Sequence, residues 1–63
     1  MKSILDIRQL LKRYGTYIYT GDKIGDLEMM EDEVRELYQS GVLDAQSFGT
    51  AMLLIKQEIS KQR

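Results

Sequence analysis

The chain has 63 residues, of which 43% are hydrophobic and 30% are charged; it has a formal net charge of -1 and contains neither Cys nor His. A chain of this length can bury one small core, and the lack of Cys and His excludes disulfides and zinc sites built on thiolate or imidazole ligands. We therefore predict a single domain over residues 1–63 that is held together by apolar packing, with no metal and no cofactor.

The first predicted helix spans residues 4–14, because apolar side chains recur there at helical spacing. These side chains are Ile4, Ile7, Leu10, Leu11 and Tyr14. Gly15 follows at the position where a helix commonly ends in a left-handed residue, a conformation that Gly adopts without steric cost.

Residues 16–20 read Thr-Tyr-Ile-Tyr-Thr, and this β-branched and aromatic run favours an extended conformation. The sequence contains no second run of this kind to pair with it, so we predict an extended connector, with pairing between two copies of the chain as the alternative. In an extended segment Tyr17 and Tyr19 lie on one side and Ile18 on the other. The two rings therefore form an exposed platform only if Ile18 is buried.

Two longer helices are predicted over residues 23–40 and 45–61, each with one apolar stripe. Asp22 and Asp44 precede these helices as N-cap residues. Because the loop between the helices is short, we expect them to pack as neighbours.

A glycine inside the third helix, Gly49, is expected to mark a close helix crossing, because Gly is unfavourable in a helix interior; the alternative is that Gly is merely tolerated there. With these elements together, the predicted fold class is all-α. We expect a compact three-helix bundle with helices at about residues 4–14, 23–40 and 45–61 and an extended connector at residues 16–20.

Charge is distributed unevenly along the chain. Residues 1–23 carry five basic against two acidic side chains, residues 24–44 one against seven, and residues 45–63 three against one. The acidic residues of the second helix lie at helical spacing, but one straight stripe supplies too few oxygens for a hard cation. We therefore predict a solvated acidic face and no metal site.

Tyrosine rings and cations alternate between the first and second helices. Single-stranded nucleic-acid binders combine rings that stack on bases with cations along the backbone. We predict such a surface from Arg8, Lys12, Arg13, Tyr14, Tyr17, Tyr19 and Lys23. The alternative is that the rings cover the edge of the core and keep their hydroxyls in water.

Without His, a Ser or Thr nucleophile lacks its usual activating base, so we predict that the chain is not an enzyme. The predicted function is binding of single-stranded nucleic acid. The alternative is a protein-interaction or self-associating helical adaptor module, which four Met residues and a small core favour. Asp6 and Arg8 interrupt any signal-peptide core, which predicts a cytoplasmic protein with no membrane partner.

Four stretches along the chain form a recognisable pattern: Leu10–Gly15, Ile18–Asp22, Met30–Glu33 and Glu36–Gly41. This pattern resembles the YqgQ-like family, small cytosolic proteins of uncharacterised function from Gram-positive bacteria. The resemblance implies a compact three-helix bundle in the cytoplasm, with single-stranded nucleic-acid binding as a suggested role. It implies no catalytic residues.

Overall fold

Three helices make up the computed structural model, which describes residues 1–62. They are α1 (Ile4–Arg13), α2 (Lys23–Gln39) and α3 (Ala45–Gln62). The described part of the chain contains no strand. The prediction of an all-α three-helix bundle is therefore confirmed, and each helix end that differs from its predicted position differs by one residue.

All three helices and the connector bury apolar side chains in one shared core. The buried members are Ile7, Leu11, Ile18, Leu27, Met30, Val34, Ala51, Ile55 and Ile59. α2 packs most extensively against α3, as expected from the short loop between them, while α1 lies across both. In α1 the structure buries Ile7 and Leu11 of the predicted apolar stripe and packs Ile4 against the core, whereas Tyr14, also predicted in that stripe, is exposed.

The end of α1 sets the start of the connector. Gly15 has a φ of 84°, so it occupies the left-handed region that favours Gly. The Thr16 N–H donates to the Leu11 carbonyl over 2.9 Å, and the Gly15 N–H donates to the Lys12 carbonyl over 3.0 Å. This pair of bonds closes a Schellman motif and turns the chain back along the bundle. Gly41 ends α2 in the same conformation.

The structure bears differently on the predictions for Gly49 and for the N-cap residues Asp22 and Asp44. A Cβ at Gly49 would meet nothing within 4 Å, so the expected close helix crossing is wrong and Gly49 lies on an open helix surface. Asp22 is the N-cap residue of α2, but its side chain makes no cap hydrogen bond. The Asp44 cap is confirmed: its carboxylate accepts from the Ser47 N–H over 2.7 Å, which lowers the pKa of Asp44.

Helix length and composition also bear on membranes. Within residues 1–62, none of the helices is both long enough and apolar enough to cross a bilayer.

Candidate nucleic-acid interface

The connector between α1 and α2 is extended, and its side chains alternate between core and solvent. Ile18 is 8% exposed and joins the core, whereas Tyr17 is 77% and Tyr19 75% exposed. The condition set by the sequence, burial of Ile18, is therefore met. Two neighbouring rings face solvent because the residue between them packs inward.

A hydrogen bond from α1 holds the middle of the connector. Nη1 of Arg8 donates to the carbonyl oxygen of Ile18 over 3.0 Å, and the arginine is partly buried. The sequence predicts that Arg8 is among the residues that contact nucleic acid. Its guanidinium has this internal acceptor, so its first role is to position the connector.

A buried carboxylate holds the end of the connector. Asp26, in the first turns of α2, is 3% exposed and accepts from the Thr20 N–H over 2.9 Å and also from the Thr20 hydroxyl. The Thr20 hydroxyl bond is the main cause of the lowered pKa of Asp26; the Thr20 N–H and the charge of Arg8 act in the same direction, and burial opposes them. The two hydrogen bonds from Thr20 to Asp26 tie the end of the connector to α2.

The sequence-based prediction places Asp26 on the solvated acidic face of α2, whereas the structure buries it. A signal for its burial was present, because it lies one turn before Met30 and two turns before Val34, which are both in the core. An acid at that position in an apolar stripe requires a local donor, and Thr20 supplies it.

The start of the connector is held on both sides. The Thr16 backbone bonds back to Leu11, and its hydroxyl donates to Glu33 of α2 over 3.4 Å. Connector positions 16, 18 and 20 thus all bond to a helix. The side chains at the positions between them, Tyr17 and Tyr19, extend outward from a backbone that is fixed at three points.

Two grooves flank Tyr17, one on each side of the connector. The α1 groove, of about 270 Å³, is lined by Leu5, Arg8, Lys12 and Tyr17 among others. The α2 groove is lined by Tyr17 together with Met29, Asp32 and Glu33. The ring therefore has cations on one side and carboxylates on the other.

The remaining predicted site residues lie farther apart. Tyr14 is exposed but lines a hollow with Glu33 and Glu36, and Lys23 lines another with Arg8 and Glu58. Arg13 is exposed in the last turn of α1, and Tyr19 is exposed on the connector. The structure thus brings Arg8, Lys12 and Tyr17 to one groove and separates Tyr14 and Lys23 from it.

The ion pairs of the bundle involve other side chains. Glu31 pairs with Arg35 and with Lys56 over 3.3 and 3.0 Å, and Arg35 also approaches Asp32. Over the described range 1–62, no ion pair includes Lys12, Arg13 or Lys23. In the same range no three acidic side chains converge on a point that could hold a metal ion.

Comparison with known proteins places the chain in a family. The YqgQ-like family model matches residues 1–61. A protein of Bacillus subtilis (strain 168) named "Uncharacterized protein YqgQ" is 30% identical over 63 residues, which cover 100% of this chain and 89% of that protein. Neither this name nor the small helical fold indicates a catalytic activity. The chain belongs to the YqgQ-like family.

Proposed function

We propose that this protein is a non-catalytic binding protein that takes single-stranded nucleic acid on the α1 side of the connector. The observation that carries the proposal is the exposure of Tyr17 and Tyr19 on a connector that Ile18 anchors in the core. Stacking of a base on an exposed aromatic ring is worth about 1–3 kcal/mol and does not require a particular base. The backbone that carries the two rings is already held in place, so it loses little conformational freedom on binding.

The charges beside Tyr17 favour a path for the nucleic-acid strand on the α1 side of the connector. Lys12 lines the groove beside Tyr17 on the α1 side, whereas Asp32 and Glu33 line the groove on the α2 side. Carboxylates repel a phosphate backbone and cations attract it. The strand therefore runs along α1, with phosphates near Lys12 and Arg13 and bases on the rings.

The small number of cations fits a single strand better than a duplex. With a net charge of -1, the protein has little long-range attraction for DNA or RNA. Two phosphate contacts, from Lys12 and Arg13, give a slope of log K against log salt of about -1.4. The location proposed for this activity is the cytoplasm, which the Cys-free composition suits.

Fluorescence polarisation with labelled homopyrimidine oligonucleotides at low salt tests the proposal. The double variant Tyr17→Ala/Tyr19→Ala is expected to lose roughly tenfold or more in affinity, because two stacking contacts are removed. The matched control is Leu53→Ala, which truncates an exposed apolar side chain on α3. Absence of binding by the unmodified protein, or an equal loss in the control, would contradict the proposal.

The cation contribution has its own test in the same assay. Lys12→Gln is expected to reduce the magnitude of the salt slope by about 0.7, the share of one phosphate contact on a single strand. Lys23→Gln is the matched control, because Lys23 lines a different groove. An equal effect of the two substitutions would show that the strand does not follow the α1 groove.

A second candidate function, contact with a protein, is favoured by the apolar residues beside Tyr17. Leu5 is 62% exposed and lines the α1 groove, and Met29 is exposed and lines the α2 groove. Exposed apolar side chains clustered around a ring are typical of a protein contact surface.

A further inference from the structure

The surface around Tyr17 has two halves, one beside α1 and one beside α2, and they carry opposite charges. It consists of the α1 groove, the connector and the α2 groove, and we call it the connector face. Its α1 half carries Leu5 and the cation Lys12, and its α2 half carries Met29 and the anion Asp32. Each half therefore contains one exposed apolar side chain and one exposed charge, and the two charges are opposite.

The apolar residue and the charge occur in the same order in both halves. At the Thr16 end of the connector, Thr16 bonds to Leu11, next to Lys12, and to Glu33, next to Asp32. Leu5 lies about two turns before Lys12 on α1, and Met29 lies about one turn before Asp32 on α2. The charges thus lie at one end of the face, and the apolar side chains lie toward its other end.

This arrangement is self-complementary under a two-fold axis that runs along the connector. Such an axis places the α1 half of one copy on the α2 half of its partner, without exchanging the two ends of the face. Lys12 then faces Asp32 of the partner copy, and Leu5 lies on the same side as Met29 of the partner copy, about one helical turn farther from the charges. The Tyr17 rings of the two copies meet near the axis.

We propose that a second copy of this chain docks on the connector face and forms a two-fold dimer. Opposite charges and matched apolar groups occur twice in that contact, because a two-fold interface repeats each contact. The rotation that would exchange the two ends of the face places each charge on an apolar side chain of the partner copy and is disfavoured, because the charge is then covered without an opposite charge beside it. This proposal stands independently of oligonucleotide binding, although both use Tyr17.

The size of the face predicts a weak dimer. A standard stable interface buries about 800 Å² per partner. The whole chain exposes 4346 Å², so such an interface would take close to a fifth of its surface. The connector face includes one loop and the edges of two helices, which places the contact in the size class of transient associations. Monomer and dimer therefore exchange, and the dimer covers the ring that would bind a base.

Sedimentation equilibrium from micromolar to millimolar protein at low and high salt tests the dimer. The expected result is a mass that rises from 7.3 kDa toward twice that value with concentration, and less so at high salt. A mass that stays at 7.3 kDa at millimolar protein and low salt would overturn the proposal.

Charge reversal tests the orientation of the two copies. Lys12→Glu and Asp32→Lys should each weaken self-association by roughly tenfold or more, because positions 12 and 32 then carry like charges at both symmetry-related contacts. An equimolar mixture of the two variants should associate as the unmodified protein does, since every contact then joins opposite charges. Failure of the mixture to recover would rule out the proposed axis.

Matched controls and a second assay separate this proposal from nucleic-acid binding. Lys61→Glu, in the last turn of α3, and Glu28→Lys, beside Lys56, are expected to leave association unchanged. In oligonucleotide titrations of dilute protein, Lys12→Glu should weaken binding, whereas Asp32→Lys should not, since it removes a carboxylate beside the ring. Both proposals are supported if both variants lose the dimer but only Lys12→Glu loses oligonucleotide affinity. If neither variant affects association, the dimer proposal alone is overturned.

Discussion

The Arg8 guanidinium lies 3.0 Å from the carbonyl oxygen of Ile18 and donates a hydrogen bond to it. The bond joins α1 to the middle of the connector, at the residue whose side chain enters the core. The arrangement has a functional consequence, because the same residue that is fixed by Arg8 separates the two exposed rings. Arg8, which the sequence predicts to contact the ligand, thus fixes the backbone between the two exposed rings.

Replacement of Arg8 should loosen the connector. Arg8→Gln removes a charge-assisted hydrogen bond to a partly buried carbonyl, so the free energy of unfolding is expected to fall by about 1–2 kcal/mol. Amide hydrogen exchange should become faster at Thr16 and Thr20, whose N–H groups bond to Leu11 and Asp26, while the exchange of α3 follows only the global change. Arg13→Gln, at an exposed position of the same helix, is the control. Equal protection of the connector in the two variants would contradict the anchoring role.

Truncation of Ile18 tests the anchor in the core. Ile18→Ala removes a buried side chain at the edge of the core, and the expected loss of stability in urea denaturation is about 2 kcal/mol. Tyr17→Ala, at the next position but exposed, should change stability by less than about 0.5 kcal/mol. A larger loss for Tyr17 than for Ile18 would mean that the connector faces the other way.

The open surface at Gly49 predicts a stabilising substitution. A Cβ there meets no atom within 4 Å, so Gly49→Ala should raise the free energy of unfolding by about 0.5–1 kcal/mol through improved helix propensity. Gly15→Ala is the contrasting change, because Gly15 has a φ of 84° and a side chain there is strained. Loss of stability in Gly49→Ala would indicate a close contact at that surface in solution.

The lowered pKa of Asp26 predicts a loss of stability in acid. A carboxyl whose pKa is lower in the folded than in the unfolded chain adds stability above its unfolded pKa, and this contribution is lost as the pH falls through the folded value. The ordinary value is 3.8, and the Thr20 hydroxyl, together with the Thr20 N–H and Arg8, lowers it. The loss should therefore appear below about pH 4.

Asp26→Asn is the variant that checks this sign. It keeps an acceptor for the Thr20 N–H but does not titrate, so its stability should fall less between pH 5 and pH 2 than that of the unmodified protein. Part of the acid loss should remain, because the pKa of Asp44 is lowered as well. Glu28→Gln, at an exposed position, is the control for a lost charge. Parallel pH profiles of the unmodified protein and Asp26→Asn would contradict the assignment.

Local rules were sufficient to predict the helices and the connector. Apolar spacing identified the stripes, Gly15 marked a helix end that needs a left-handed residue, and the β-branched and aromatic run at residues 16–20 predicted an extended segment. These features depend on neighbours within one or two turns, which a sequence displays directly.

Features that depend on packing between distant segments could not be predicted in this way. Arg8 meets Ile18 only because the Schellman turn folds the connector back along α1. The sequence alone therefore does not show that the Arg8 guanidinium has a hydrogen-bond acceptor within the protein. Gly49 was expected at a helix crossing, but the faces in contact are set by the apolar stripes, and Gly49 lies off them. The separation of Lys23 from Tyr17 likewise follows from where α2 begins in space.

Proton NMR of the four tyrosine rings during titration with a homopyrimidine oligonucleotide tests the central claim most directly. Tyr38 stacks on Phe48 with ring centroids 4.3 Å apart and serves as an internal reference in the same molecule. The expected result is an upfield shift of the Tyr17 and Tyr19 ring signals, caused by stacked bases, with the Tyr38 signals nearly unchanged. Rings at positions 17 and 19 that do not respond, or that respond no more than Tyr38, would contradict nucleic-acid binding on the connector.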